Sequence, residues 1–299
     1  MSGRPLTNVG SRPAAYGPAE WGLTAVIGLI WGSAFLWIAI GVDALSPGVV
    51  ALGRVVLGAG AMFTFGRARK AIDRGDWPRL AAVALFGNAG PALLFAVAET
   101  ELDSAVAGML TSAAPLVSLA VASIMLRQLP GAAQAIGISL GFVGIVLMTL
   151  PSLGGANAAP TGVVLVIVAV FGYGISGNLL VPLQQHYGGP AVTMWALTAS
   201  SLMLIPFGVA GLRDSEFTLA SVGAVVILGV LGTGIARSLA ATLAGRVGAA
   251  RMSTTTYLIP VVAIALGVVF RDETVDPIAI VGVVIVFGGA YLASQAVKT

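Results

Sequence analysis

The sequence predicts an all-α integral membrane protein in which ten transmembrane helices form two five-helix repeats, inverted relative to each other. Three observations carry this prediction. Of the 299 residues, 58% are hydrophobic and only 9% charged, where a soluble domain holds roughly 25% charged residues; the mean hydropathy is +0.99. The apolar residues fall into ten stretches near the ~20 residues a helix needs to cross the hydrocarbon core. Finally, two hydrophobic regions read as copies 145 residues apart, pairing Pro115 with Pro260, Ala105 with Ala250, Val117 with Val262, Gly137 with Gly282, Phe142 with Phe287, Gly144 with Gly289 and Leu147 with Leu292. One gap-free register across so many positions indicates duplication, and five crossings per copy, an odd number, turn the second copy upside down. Membrane proteins built from such halves carry a site between them.

Residues 1–19 contain Gly, Pro and Arg without an apolar core and read as a disordered cytoplasmic tail. The first stretch, 20–42, is too long for a signal-peptide core and lacks a small-residue cleavage site, so it is an uncleaved span. It begins the first repeat, 20–150, which continues with 47–66, 80–98, 104–126 and 133–150. The second repeat, 161–297, comprises 161–184, 190–212, 219–245, 249–270 and 277–297. Tight junctions at Ser46-Pro47, Gly189-Pro190 and Asp276-Pro277 imply antiparallel hairpins.

Placing both termini in the cytoplasm puts Arg4, Arg12, Arg67, Arg69, Lys70, Arg74, Arg79, Arg127, Arg246, Arg251 and Lys298 inside and leaves Arg213 and Arg271 outside. That bias follows the positive-inside rule, and it accounts for the net charge of +3 without nucleic acid. With no cysteine there is neither a disulfide nor a thiolate metal site. An intramembrane protease needs paired aspartates, a Ser–His pair or a zinc site, whereas the one histidine, His186, ends a span and no span holds an Asp. The chain therefore reads as no enzyme, with no metal and no cofactor.

The middles of the spans are more informative than their ends. The third is centred on Gly87-Asn88-Ala89-Gly90-Pro91 and its repeat partner on Gly232-Thr233-Gly234; the fourth and ninth are interrupted by Pro115 and Pro260, the expected hinges. The first carries Trp31-Gly32-Ser33, and the sixth Gly172-Tyr173-Gly174 followed by Asn178. Loosened or polar backbone at mid-depth belongs where it is buried in protein or lines a water-filled cavity. A membrane glycine more often serves close packing and a proline a static kink, and the asparagines also suit bonds across helices. Trp31, Tyr173 and Tyr257 are less easily read as structural, because Trp and Tyr prefer the interfaces. The expected substrate-binding set is Trp31, Ser33, Asn88, Ser112, Tyr173, Asn178, Thr233 and Tyr257, with Arg54 and Arg237 as charged contacts that also have snorkelling roles open to them. Glycines 137, 141, 144, 282, 288 and 289 are expected to pack helices. No Asp or Glu lies near a span centre. That predicts weak or absent carboxylate-based proton coupling and a neutral or zwitterionic substrate.

Residues 245–292, GRVGAARMSTTTYLIPVVAIALGVVFRDETVDPIAIVGVVIVFGGAYL, resemble the second repeat of the EamA family of the drug/metabolite transporter superfamily, with Glu273 at the usual Glu. WGSAFLWI at 31–38, LSPGVVALGRVV at 45–56 with Arg54, and SAAPL at 112–116 resemble the first repeat, whereas Gln128 replaces its usual Glu. The resemblance covers nearly the whole chain. It implies an alternating-access secondary transporter with a central cavity lined by spans 1, 3, 4, 6, 8 and 9. The nearest subgroup is the YddG-type exporters, which implies export of aromatic or other neutral amino acids across a bacterial inner membrane, by a monomer or weak homodimer. A carrier of nucleotide sugars or drugs, and a channel-like facilitator, are the alternatives; a phosphorylated substrate would call for more basic residues than Arg54 and Arg237.

Overall fold

The computed structural model describes residues 17–125, 131–153, 159–247 and 252–295. The expected tail up to residue 16, and Gln128, Arg127, Arg251 and Lys298, lie outside the described residues. The described residues form helices and connecting turns, with no strand among them. In order the helices are α1 (Pro18–Val42), α2 (Pro47–Phe63), α3 (Arg74–Ala98), α4 (Ser104–Thr111 continued by Ala114–Met125), α5 (Ala132–Leu153), α6 (Pro160–Tyr187), α7 (Gly189–Ala210), α8 (Leu219–Val247), α9 (Ser253–Tyr257 continued by Leu258–Arg271) and α10 (Pro277–Gln295). Five are long and apolar enough to span a membrane by themselves, the bent α4 is a sixth, and four shorter apolar helices complete the set.

Local sequence sets the helix ends. Ser46 accepts from the Val49 N–H at 3.4 Å and Pro47 opens α2; Thr218 accepts from the Ser221 N–H at 3.2 Å and starts α8. Between α6 and α7 the chain reverses at Gly188, whose φ of 84° is disfavoured for other residues.

The interruptions expected at mid-span take three forms. In α3 the segment Leu85–Ala89 widens into a π-helix, and the Gly90 N–H bonds back five residues to the Leu85 carbonyl. Pro91 supplies a reason, because its missing N–H and ring disturb the preceding turn. Its counterpart in α8, Leu228–Ile235, widens likewise, with the Ala236 N–H reaching the Leu231 carbonyl. α4 bends by 42° at Ser112 and Ala113, ahead of Pro115. At the corresponding place α9 passes from a 3₁₀ turn into an α-helix, ahead of Pro260.

The glycines of α5 and α10 show how the halves are related. A Cβ on Gly144 would lie 2.7 Å from the Gly282 carbonyl oxygen, and a Cβ on Gly289 2.6 Å from that of Gly137. Residues late in α5 thus meet residues early in α10, so the two run antiparallel, and repeat-related glycines exchange partners across the axis. Gly288 departs from the expected packing set, because a Cβ there meets nothing within 4 Å. Gly141 faces Leu116 of α4, 2.1 Å from its added Cβ, while its N–H borders Gly289. The same exchange relates α1–α9 to α6–α4 and α2–α8 to α7–α3, all of them packed pairs.

One end of the bundle is laced together. Ser46 N–H donates to Ser215 Oγ at 2.9 Å, Glu216 N–H to the Ala44 carbonyl at 2.7 Å, and Arg271 pairs with Asp43. There Glu273, from the turn after α9, caps α4 by accepting from the Ser104 N–H, the Ser104 hydroxyl and the Ala105 N–H at 3.0, 2.7 and 2.9 Å.

Candidate functional site

The interrupted helices converge on a cavity of about 160 Å³. α1 contributes Trp31, Phe35 and Ile38; α3 contributes Val83, Gly87, Asn88 and Phe95; α4 contributes Thr111 and Ser118; α6 contributes Tyr173 and Ser176; α8 contributes Arg237 and Ala240; α9 contributes Thr256 and Ile259. All six expected spans therefore line it. Two more helices join them, α2 through Arg54 and α7 through Val192 and Thr193.

Each polar wall residue is positioned by a neighbouring helix. The Trp31 indole N–H donates to the Gly232 carbonyl at 3.2 Å, an oxygen within the widened turn of α8. One residue on, the Thr233 hydroxyl accepts from Arg54 Nε at 3.1 Å, so the same turn holds a guanidinium. α2 comes this close because a Cβ on Gly229 would sit 3.0 Å from the Arg54 carbonyl oxygen. Across the cavity, Arg237 Nη2 donates to the Tyr173 hydroxyl at 3.3 Å, and its guanidinium carbon lies 5.4 Å from the centre of that ring. Tyr173 stacks on Phe95 with centroids 6.0 Å apart, and Phe95 meets Phe35 edge-on at 5.5 Å. Together they form a continuous aromatic wall beside a guanidinium.

Of the residues expected to bind substrate, Trp31, Asn88 and Tyr173 line the cavity, as do both arginines. The others lie behind or beside it. Ser33 donates to the Ile30 carbonyl of its own helix at 2.9 Å. Asn178 bridges α6 to α4, donating to the Gly174 and Ser118 carbonyls at 2.8 and 3.1 Å. Ser112 is fully buried at the α4 bend, its hydroxyl unpartnered. Tyr257 packs on Phe287 of α10 at 4.9 Å. Thr233 reaches the site through Arg54, and Pro115 and Pro260 follow the helix breaks.

Sequence reasoning did not single out Phe35, Phe95, Ser118, Ser176 or Thr193. An apolar membrane helix gives a cavity-facing Phe no mark of its own. Spacing from Trp31 was the available signal for Phe35, which lies one turn further along the same face.

The electrostatics of the cavity are one-sided. Arg54 and Arg237 both face it, and no Asp or Glu is among the described residues that line it. Arg237 Nε and Asn88 Oδ1 are buried without hydrogen-bond partners, while the Asn88 amide nitrogen donates to Val83 at 3.4 Å. One buried and one half-buried guanidinium with no carboxylate lining the cavity favour a group that carries negative charge.

The profile of the EamA-like transporter family matches residues 21–150 and again 160–295. The chain belongs to the EamA-like transporter family. It is a multi-pass membrane transporter, in keeping with the ten apolar helices. Its relatives include an uncharacterised transporter of Archaeoglobus fulgidus, 27% identical over 91% of this chain and 98% of that one. A protein of Streptantibioticus cattleyicolor described as a probable terminal-alkyne amino-acid exporter is 26% identical over 93% of both chains. One of Escherichia coli, described as a probable amino-acid metabolite efflux pump, is 23% identical over 90% of this chain and 93% of its own. A solved crystal structure shares the fold, with a TM-score of 0.65 over 91% of this chain and 95% of its own at 17% identity.

Proposed function

We propose that this EamA-like transporter exports small amino-acid-like solutes, aromatic or other neutral amino acids, by alternating access across a bacterial inner membrane with both termini cytoplasmic. The observation that carries the reading is the pair of guanidiniums in a cavity with no lining carboxylate. A substrate carboxylate supplies the missing negative charge, with the Arg237 guanidinium, which lines the cavity, as its donor. The ammonium of the same solute lies beside the amide of Asn88, which also lines the cavity. An apolar side chain then lies against Trp31, Phe35, Phe95 and Tyr173. A lone cation meets repulsion from both arginines, which disfavours a cationic drug.

Size points the same way. A cavity of roughly 150 Å³ takes a benzene-sized group, so the 160 Å³ found here matches the ring of one aromatic side chain and falls far short of a nucleotide sugar. Helix pairs, each drawn from both repeats (20–150 and 161–297), rocking at the breaks before Pro115 and Pro260 expose the cavity to each side in turn. Met252, Ala240 and Leu180 line its side away from the laced end.

The test is uptake into proteoliposomes from a panel of labelled amino acids, a nucleotide sugar and an organic cation. Saturable uptake of neutral amino acids is the expected result. Uptake of the cation or the nucleotide sugar in their place would overturn the reading, and unitary currents would indicate a channel.

A further inference from the structure

The sequence places Glu99 in a short turn beyond the third span, where a carboxylate ordinarily meets water. The structure buries it: only 8% of its surface is exposed, and neither carboxylate oxygen has a hydrogen-bond partner. Glu99 caps the C-terminal end of α3, its own N–H bonded back to Phe95. The negative end of the helix dipole disfavours an anion there. α6 covers the turn closely, since a Cβ on Gly162 would lie 3.2 Å from both the Ala98 carbonyl oxygen and the Leu102 Cβ.

The charged groups that act on Glu99 come from two neighbouring elements. Arg54 of α2 favours its ionised form; Glu273, in the turn after α9, opposes ionisation, and Arg271, at the end of α9, favours it. Each is already engaged: Arg54 Nε with Thr233, Glu273 with the α4 N-terminus, and Arg271 with Asp43. On its own turn, Glu101 and Asp103 are exposed. Desolvation outweighs these charges and raises the Glu99 carboxyl well above the usual carboxylate range.

We propose that Glu99 is a proton-binding site, a neutral carboxylic acid while the laced end of the protein is closed and a carboxylate when that end opens to water. Closing moves one proton from the water at that end onto a Glu99 oxygen, and opening returns it. The sign follows from linkage. The closed conformation holds the proton at pH values where the water-exposed carboxylate has lost it, so closure is favoured as pH falls and is lost as pH rises through the raised value. This gives the carrier a pH response without a carboxylate at mid-membrane, and it stands whatever solute the cavity takes.

The chain has no cysteine, so single thiols report cleanly. Ala105→Cys sits beside the Glu273 cap, 1% exposed. Its rate of reaction with a hydrophilic maleimide in nanodiscs, divided by that of Thr100→Cys on the exposed turn nearby, reads opening of this end with the thiol's own titration removed. The ratio is expected to fall on acidification, by at most about tenfold per pH unit, the limit for one linked proton. Glu99→Gln, the neutral isostere, should hold the ratio low at every pH, and Glu99→Asp should retain a pH step. A Gln variant that keeps the wild-type profile overturns the proposal. So does a flat wild-type profile, which needs no variant to fold and which leaves the cavity's substrate assignment untouched.

Discussion

Replacing Arg237 with Met separates a substrate-binding arginine from a structural one. In the structure this guanidinium touches the Tyr173 hydroxyl at 3.3 Å and the face of its ring at 5.4 Å, has one buried unpartnered nitrogen, and meets no carboxylate in the cavity. A hydrogen bond to a charged partner contributes about 1.5–3 kcal/mol, and about 1.4 kcal/mol is tenfold in affinity. Losing the contact to a substrate carboxylate should therefore raise the apparent KM for an amino acid by roughly 10- to 150-fold. Stability moves differently. The variant loses a cation–π contact of roughly 0.5–2 kcal/mol and also removes a half-buried charge, so the two offset and folding should stay within about 1 kcal/mol of wild type. The assays are concentration-dependent uptake in proteoliposomes and thermal unfolding in detergent. A fall in stability with KM unchanged would refute the reasoning and return Arg237 to a scaffolding role.

Asn88→Leu removes the unpartnered acceptor, so transport of an amino acid should weaken while that of its N-acetyl derivative, which lacks the ammonium, is unaffected; equal losses in paired uptake measurements would contradict the ammonium assignment. Trp31→Phe leaves the Gly232 carbonyl without its 3.2 Å donor and should destabilise by about 1–3 kcal/mol, read from the thermal unfolding midpoint. Gly144→Leu forces a side chain against the Gly282 carbonyl at 2.7 Å and should lower the yield of monodisperse protein in size-exclusion chromatography. Gly288→Ala, which meets nothing within 4 Å, should leave that yield unchanged.

The fold was legible because its constraints are written as periodic marks. The shared register of Pro115 with Pro260 and Gly144 with Gly289 announced two copies, and the antiparallel exchange of Gly144 with Gly282 is what that register requires of an inverted pair. The mid-span interruptions were legible too: Gly87 to Pro91 widens one helix and Pro115 follows the break of another. The detailed wall of the cavity was not. Asn178 and Ser33 carry the same polar signal as Asn88, yet they turn to carbonyls of their own and neighbouring helices, and only packing decides which way a side chain faces. Phe35 and Phe95 were invisible for the opposite reason, since in an apolar helix aromatic residues facing lipid and cavity look alike. Glu99 carries no such mark: the sequence puts it in the turn beyond the third span, as the structure does, and only the packing of that turn under α6 buries it.

The central claim is that the two arginines select a solute with a carboxylate. The direct measurement is counterflow in proteoliposomes preloaded with unlabelled phenylalanine, compared with vesicles preloaded with phenethylamine, the same solute without its carboxylate. The account predicts saturable, trans-stimulated uptake of labelled phenylalanine in the first and little or none in the second. Equal stimulation by both, or by neither, would contradict it.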